Sequence, residues 1–129
     1  MTADDKYDIC ETVYRFAHGV DTRDWALYRS IFADEVRVDY SSYGAFAPTV
    51  QSADAWVAGI TPVWAHHVFE PADPASSFTL GGFYDDDLVR SSNGPVGWLI
   101  TSVKLTVTWR TGDPKIMSIA RRRGIEMQE

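Results

Sequence analysis

Three ionisable side chains follow one another along the first predicted helix at a spacing that places them on one flank. Tyr14, His18 and Asp21 stand at positions i, i+4 and i+7, beside an apolar stripe. A phenol, an imidazole and a carboxylate that border an apolar face are candidates for proton-transfer chemistry. The alternative is a solvated helix end at which Asp21 caps the next helix, and the spacing alone does not separate the two.

Further candidates for acid–base chemistry lie on the later strands. His66 and His67 are adjacent on a predicted strand, so they point to opposite faces and only one can reach a ligand. Asp85 and Asp87 share one face, and within a cavity their repulsion would raise the pKa of one carboxyl. Asp86 is expected on a solvated edge. Because spacing typical of calcium, zinc or phosphate sites does not occur, we expect no metal and no cofactor.

Hydrophobic patterns divide the chain into helices first and long strands later. The predicted helices are 5–19, a second helix capped by Thr22, a third that Ser52 begins and Pro62 ends, and a last one opened by Asp113-Pro114. The predicted strands are 36–40, 63–69, 78–90 and 98–109. Helices segregated from antiparallel strands indicate an α+β domain. Gly81-Gly82 permits a sharp bend, so the sheet could wrap around the helices and enclose a pocket.

Large side chains must fill a core or line that pocket, since aromatic residues make up 13% of the chain. Alternation along strand 36–40 points Tyr40 inward with Val36 and Val38. A hydroxyl on that face is a candidate hydrogen-bond donor to a substrate. The candidates for the binding walls are Tyr14, His18, Trp56, Trp64 and Phe83, although such rings more commonly fill a core.

Length and composition exclude several classes. At 129 residues, with 45% apolar and 23% charged residues, the chain suits one domain over residues 1–129. A net charge of −6 argues against nucleic acid, whose phosphates require a basic face. Cys10 is the only cysteine, which excludes an internal disulfide. Neither a membrane span nor a signal peptide is evident, so we expect a soluble cytoplasmic protein.

The order of several short runs resembles the SnoaL-like branch of the nuclear transport factor 2-like (NTF2-like) superfamily. The runs are 14–25, 32–36, 39–43, 81–84, 97–98 and 105–109. The resemblance implies a cone-shaped α+β barrel, with a strongly curved, mostly antiparallel sheet wrapped around N-terminal helices. It also implies a cavity that binds a hydrophobic small molecule. Relatives include dehydratases, polyketide cyclases, isomerases and members without known activity, so the fold alone leaves the chemistry open.

Scytalone dehydratases offer the nearest comparison of motifs within that group. The resemblance implies that Asp21, Tyr40 and His66 correspond to their helix-end aspartate, cavity tyrosine and one catalytic histidine. Asp85 and Asp87 would replace a serine and an asparagine. The chain departs from this pattern at Val20, where the dehydratases have a tyrosine, and it lacks about one strand with a second histidine before position 66.

These features predict a cofactor-independent dehydratase, isomerase or cyclase acting on a hydrophobic oxygenated molecule. His66 and Asp21 would form the acid–base pair, Tyr40 would bind the carbonyl oxygen, and Asp85 or Asp87 would carry a second proton. The alternative is a ligand-binding or assembly module of the same fold without catalysis, which the missing strand favours. Epoxide hydrolysis through Arg37 and Asp39 ranks last. The superfamily and an exposed sheet edge lead us to expect a homodimer or a higher homo-oligomer.

Overall fold

The computed structural model describes residues 1–44, 46–65 and 77–128, without the side chains of residues 64, 65, 127 and 128. The helices in this part are α1 (Ala3–Asp21), α2 (Trp25–Ser30), α3 (Ala53–Ala65) and α4 (Lys115–Gln128). The strands are β1 (Phe32–Asp39), β2 (Thr49–Ser52), β3 (Phe78–Arg90) and β4 (Trp98–Gly112), and a 3₁₀ turn covers Ser41–Tyr43. None of the helices described here has both the length and the apolarity that a membrane crossing requires.

The four strands form one curved sheet in the order β2-β1-β4-β3, which confirms the predicted α+β class. Strands β1 and β4 run parallel, whereas β1 with β2 and β3 with β4 are antiparallel. The register of β3 against β4 shifts between Gly81 and Gly82, as the glycine pair predicts. A Cβ on Gly82 would lie 2.0 Å from the carbonyl oxygen of Thr106, so this bulge requires a residue without a side chain.

Helix α1 begins two residues earlier and ends two residues later than its apolar pattern predicts. Its start is a capping box, in which the Thr2 side chain accepts from the Asp5 amide and the Asp5 carboxylate accepts from the Thr2 amide. Gly19 does not end the helix, which continues to Asp21. Instead, Gly19 allows α1 to approach Tyr28 closely, since a Cβ on Gly19 would lie 3.0 Å from the Cβ of Tyr28. The predicted cap at Thr22 was wrong, since Asp24 caps α2 by accepting from an amide of its first turn.

Arg29 connects α2 to the two elements that follow it. Its guanidinium contacts Asp54 at 2.8 Å and Asp34 at 3.0 Å, and it donates to the carbonyl of Phe32. Phe32 is the first residue of β1, so β1 spans Phe32–Asp39 rather than the predicted 36–40. These contacts fix the angle at which the chain leaves α2 and enters the sheet.

Helix α3 passes through Pro62 instead of ending there. Pro62 is buried against Gly124 of α4, and this packing offsets the hydrogen bond that proline removes from a helix. The predicted strand 63–69 was therefore wrong for residues 63–65, which are helical, and its remainder lies outside the described residues. Strand β2 was not predicted, because four residues carry too little alternation to be recognised.

The core lies between the helices and the inner face of the sheet. It is built from apolar and aromatic residues of α2, β1, α3 and β4, namely Tyr28, Ile31, Phe32, Val36, Val38, Ala53, Trp56, Ile100 and Val103. Helix α4 packs on α3 through Ile116, Ala120 and Gly124. Polar side chains that approach this core from the sheet are therefore candidates for function.

Candidate active site

Tyr40 stands where β1 gives way to the 3₁₀ turn, and it continues the inward face of Val36 and Val38 as predicted. The turn is held by Asp39, whose carboxylate accepts from the amide of Ser41 at 3.1 Å and from its hydroxyl at 2.6 Å. These hydrogen bonds lower the pKa of Asp39. Because Asp39 is occupied on the opposite side, Tyr40 is directed towards the interior.

The ring of Tyr40 stacks on Trp56 of α3, with centroids 5.3 Å apart and an angle of 28° between the planes. The indole Nε1 of Trp56 donates to the hydroxyl of Tyr28 at a distance of 3.0 Å. Burial raises the pKa values of Tyr28 and Tyr40 far above their usual range, so both remain neutral phenols. Phe46 lies beside Tyr40 and Trp56 and is 40% exposed, which places it at the rim of this group.

Strand β3 contributes Tyr84 to the same group from across the sheet. Its ring lies 6.4 Å from that of Tyr40 and 5.7 Å from that of Phe16 on α1. Burial raises the pKa of Tyr84, and it outweighs the opposing effect of the neighbouring Tyr40 hydroxyl. Tyr84 remains 49% exposed, so one side of the group opens to solvent.

Asp86 follows Tyr84 on the inner face of β3, opposite the buried residue Val103. Its Oδ1 atom is shielded from solvent and has no hydrogen-bond partner among the residues that the structure describes. Burial raises its pKa to about 6, with a further contribution from the charges of Asp85 and Asp87. We call Tyr28, Tyr40, Trp56, Tyr84 and Asp86 the tyrosine cluster.

The tyrosine cluster thus combines phenol hydroxyls, aromatic faces and one carboxylate under a curved sheet. Residues 1–66 of the chain match the family model of the SnoaL-like domain. The chain belongs to the SnoaL-like family. This family lies within the NTF2-like superfamily and comprises small-molecule-binding domains, as the resemblance implies.

Solved structures match the SnoaL-like fold over most of its length. The Kfla4162 protein from Kribbella flavida matches with a TM-score of 0.73 and 21% sequence identity, over 91% of this chain and 97% of that chain. A proposed aromatic ring hydroxylase from Novosphingobium aromaticivorans matches with a TM-score of 0.60 and 14% identity, over 91% and 99% of the two chains. No functionally curated protein matches the sequence. At these identities the likeness shows the shared fold.

Of the side chains predicted for the site, the SnoaL-like domain brings Tyr40 and Trp56 together. Asp21 is exposed at the last residue of α1. His66 and the side chain of Trp64 lie outside the described residues. In the part of the chain that is described, no three His, Cys, Asp or Glu side chains are close enough to hold a metal ion.

Tyr14 and His18 lie on an outer groove rather than in the tyrosine cluster. This groove has a volume of about 520 Å³ and is wide open, and its walls are Glu11, Tyr14, Arg15, His18 and Leu27. Tyr14 is 68% exposed and His18 is also exposed. The helical spacing of these residues was read correctly, but their flank of α1 faces solvent because the apolar stripe beside it packs on the core.

The inner face of β3 carries Asp86, whereas the prediction placed Asp85 and Asp87 there. Asp85 and Asp87 are exposed, as is Phe83 at 52%, whereas Asp86 is the half-buried carboxylate. The expectation that Asp86 lies on a solvated edge was therefore wrong. Tyr84 and Leu88, four residues apart on the same face, carry the signal that could have fixed the phase of this strand.

Proposed function

We propose that this SnoaL-like domain binds a hydrophobic, oxygen-bearing small molecule in the tyrosine cluster and moves a proton next to its carbonyl group without a cofactor. Dehydration, isomerisation and cyclisation all begin with such a step. The observation that supports this most directly is the pair of hydroxyls on Tyr40 and Tyr84, set among aromatic rings. Aromatic walls favour an apolar ligand, and the hydroxyls supply the few polar groups that orient it.

The hydroxyl pair suits a developing negative charge on the substrate oxygen. In this proposal the Tyr40 hydroxyl acts on the neighbouring Tyr84 hydroxyl, which as a neutral phenol has a proton to donate to the substrate oxygen. Removing a proton beside a carbonyl places charge on that oxygen, and a donor aimed at it lowers the barrier. In this assignment Tyr84 makes the direct contact and Tyr40 supports it, while Phe46 and Trp56 hold the apolar body of the ligand. The Asp21–His66 acid–base pair and the binding roles of Tyr14, His18, Trp64 and Phe83 remain proposals from the sequence.

Deuterium exchange into 2-tetralone tests this proposal without knowledge of the natural substrate. This ketone is bicyclic and apolar, and NMR in D₂O follows exchange at the carbon beside its carbonyl. We expect the protein to accelerate exchange and Tyr84→Phe to reduce the acceleration by about 10²-fold, the effect typical of losing one such donor. Tyr7→Phe is the matched control, because Tyr7 is 80% exposed on α1.

Two results would count against the proposal. Exchange no faster than in buffer would remove the enzymatic assignment, and tetralone binding without exchange would instead support the non-catalytic module. Acceleration that survives Tyr40→Phe and Tyr84→Phe together would show that the reaction occurs elsewhere in the domain. Circular dichroism of each variant establishes that it is folded.

A further inference from the structure

Asp86 is the one carboxylate that β3 turns towards the core. It lies between Tyr84 and Leu88 on the inner face, and its Oδ1 atom is enclosed without a partner among the described residues. Buried polar atoms in folded proteins are nearly always hydrogen-bonded, so an orphaned carboxylate oxygen requires an explanation. A proton on Asp86 itself, or a polar hydrogen of a ligand, would satisfy this oxygen.

The groups that act on Asp86 come from each element packed around it. Tyr28 of α2, Tyr40 at the end of β1 and Tyr84 of β3 are all coupled to its charge. Asp85 and Asp87 act from the opposite face of the strand and raise its proton affinity by repulsion. Among the ion pairs of the described chain, none involves Asp86.

This environment suits proton transfer better than a structural role. A structural aspartate is normally paired with a cation or with several amides, as Asp5 is with Arg90 and the Thr2 amide. Among the residues that the structure describes, Asp86 has neither kind of partner. Instead its charge acts on the phenols of Tyr28, Tyr40 and Tyr84, and burial raises the pKa of its carboxyl to about 6.

We propose that Asp86 is the catalytic acid–base of this domain, an inference that rests on the proposed function. The Asp86 carboxylate takes a proton from the carbon beside the substrate carbonyl. The C–H electron pair becomes the C=C bond of an enolate, and the C=O pair moves onto the oxygen, which accepts from the Tyr84 hydroxyl. Asp86 then returns the proton to carbon, which gives exchange or isomerisation, or to a departing hydroxide, which leaves as water.

The run of three consecutive aspartates offers a matched set of variants for the tetralone assay. We expect Asp86→Asn to slow exchange by about 10²–10⁴-fold, the usual contribution of a general acid–base. Asp85→Asn and Asp87→Asn keep their carboxamides outside the cluster, so we expect them to retain the maximal rate. Each of these variants removes a charge that raises the pKa of Asp86. The acidic limb of the pH–rate profile should therefore move to lower pH.

The pH dependence separates a catalytic Asp86 from a structural one. In the wild type, exchange should rise as Asp86 loses its proton around pH 6, and this limb should be absent from Asp86→Asn. Carboxyl ¹³C NMR provides a direct reading, since one aspartate resonance should titrate near pH 6 and disappear in the same variant. Asp86→Glu keeps the carboxyl group, so it should retain a titrating limb even if its rate falls.

The outcomes distinguish this inference from the function on which it rests. Wild-type exchange that persists in folded Asp86→Asn would overturn the assignment of Asp86 alone. Wild-type exchange that is absent would overturn both. Loss of exchange in Asp86→Asn, together with retention in the variants of Asp85 and Asp87, would support it.

Discussion

The indole Nε1 of Trp56 lies 3.0 Å from the hydroxyl oxygen of Tyr28, to which it donates a hydrogen bond. Both side chains are buried, with 5% and 1% of their surface exposed. The bond joins α2 to α3 directly beneath the stacked ring of Tyr40. It therefore fixes two walls of the tyrosine cluster relative to each other.

Removing the hydroxyl of Tyr28 should destabilise the fold. In Tyr28→Phe the indole N–H would stay buried without an acceptor, and such a group costs about 1–3 kcal/mol. Urea denaturation measures this loss, with Tyr7→Phe on the exposed side of α1 as the control. In a double-mutant cycle with Trp56→Phe, the second change should cost less once the first is present. Strict additivity would show that the two groups are not coupled.

The unusual proton affinity of Asp86 should make stability depend on pH in a defined direction. Its pKa is about 6 in the folded protein against an ordinary value of 3.8, so the folded state takes up a proton between these values and gains stability as the pH falls. At neutral pH the ionised carboxyl costs the fold about 1–2 kcal/mol, after allowance for its partial exposure to solvent.

Asp86→Asn should consequently be more stable than the wild type above pH 6, and the two should converge near pH 4. Urea denaturation at a series of pH values checks this. Asp85→Asn should show a smaller gain of the same sign, because it removes only one repelling charge. If the difference in unfolding free energy between Asp86→Asn and the wild type grew as the pH fell, it would contradict the placement of Asp86.

The pair of Asp5 and Arg90 should act in the opposite sense. The hydrogen bonds from Thr2 and Arg90 lower the pKa of Asp5 from 3.8 to about 2. The stabilisation is complete above pH 4 and is lost as the pH falls towards 2, because the folded carboxylate resists protonation. Between pH 4 and pH 2, the melting temperature of Asp5→Asn should therefore depend less on pH than that of the wild type. Asp4→Asn, on the exposed side of the same turn, should keep the wild-type dependence.

Two helix glycines should respond to alanine in opposite directions. A Cβ on Gly124 would lie 2.4 Å from the Cβ of Pro62 and 2.6 Å from its carbonyl oxygen, so Gly124→Ala should cost about 1–3 kcal/mol through overpacking. Gly59 on α3 has nothing within 4 Å of such an atom. Gly59→Ala should therefore stabilise the protein by about 0.5–1 kcal/mol, since alanine favours a helix interior. Equal melting temperatures for the two variants would refute the close packing of α3 on α4.

Local patterns predicted those features that depend on a few neighbouring residues. Alternation from Val36 oriented Tyr40 correctly, Gly81-Gly82 located the bulge, and Ser52 was recognised as the cap of α3, where its hydroxyl accepts from an amide at 3.1 Å. Each of these depends on turn chemistry or on a period of two residues. The family itself was also evident from the order of the runs.

Features that depend on distant parts of the chain could not be predicted in this way. Pro62 continues a helix because α4 packs against it, and α4 follows it by more than fifty residues. Asp86 faces inward because the register of β3 on β4 sets the phase of the strand. A run of three aspartates carries no apolar marker of its own, so the sequence offers no local reason to prefer the middle one.

Trp56 also provides the domain with an internal optical probe. Its indole is buried, donates to Tyr28 and stacks on the ring of Tyr40, whereas Trp109 is 54% exposed. Acrylamide should quench the emission of Trp109 at much lower concentration than that of Trp56. The emission that remains should therefore come mainly from buried tryptophans, and its wavelength should report binding at the tyrosine cluster even of compounds that undergo no reaction.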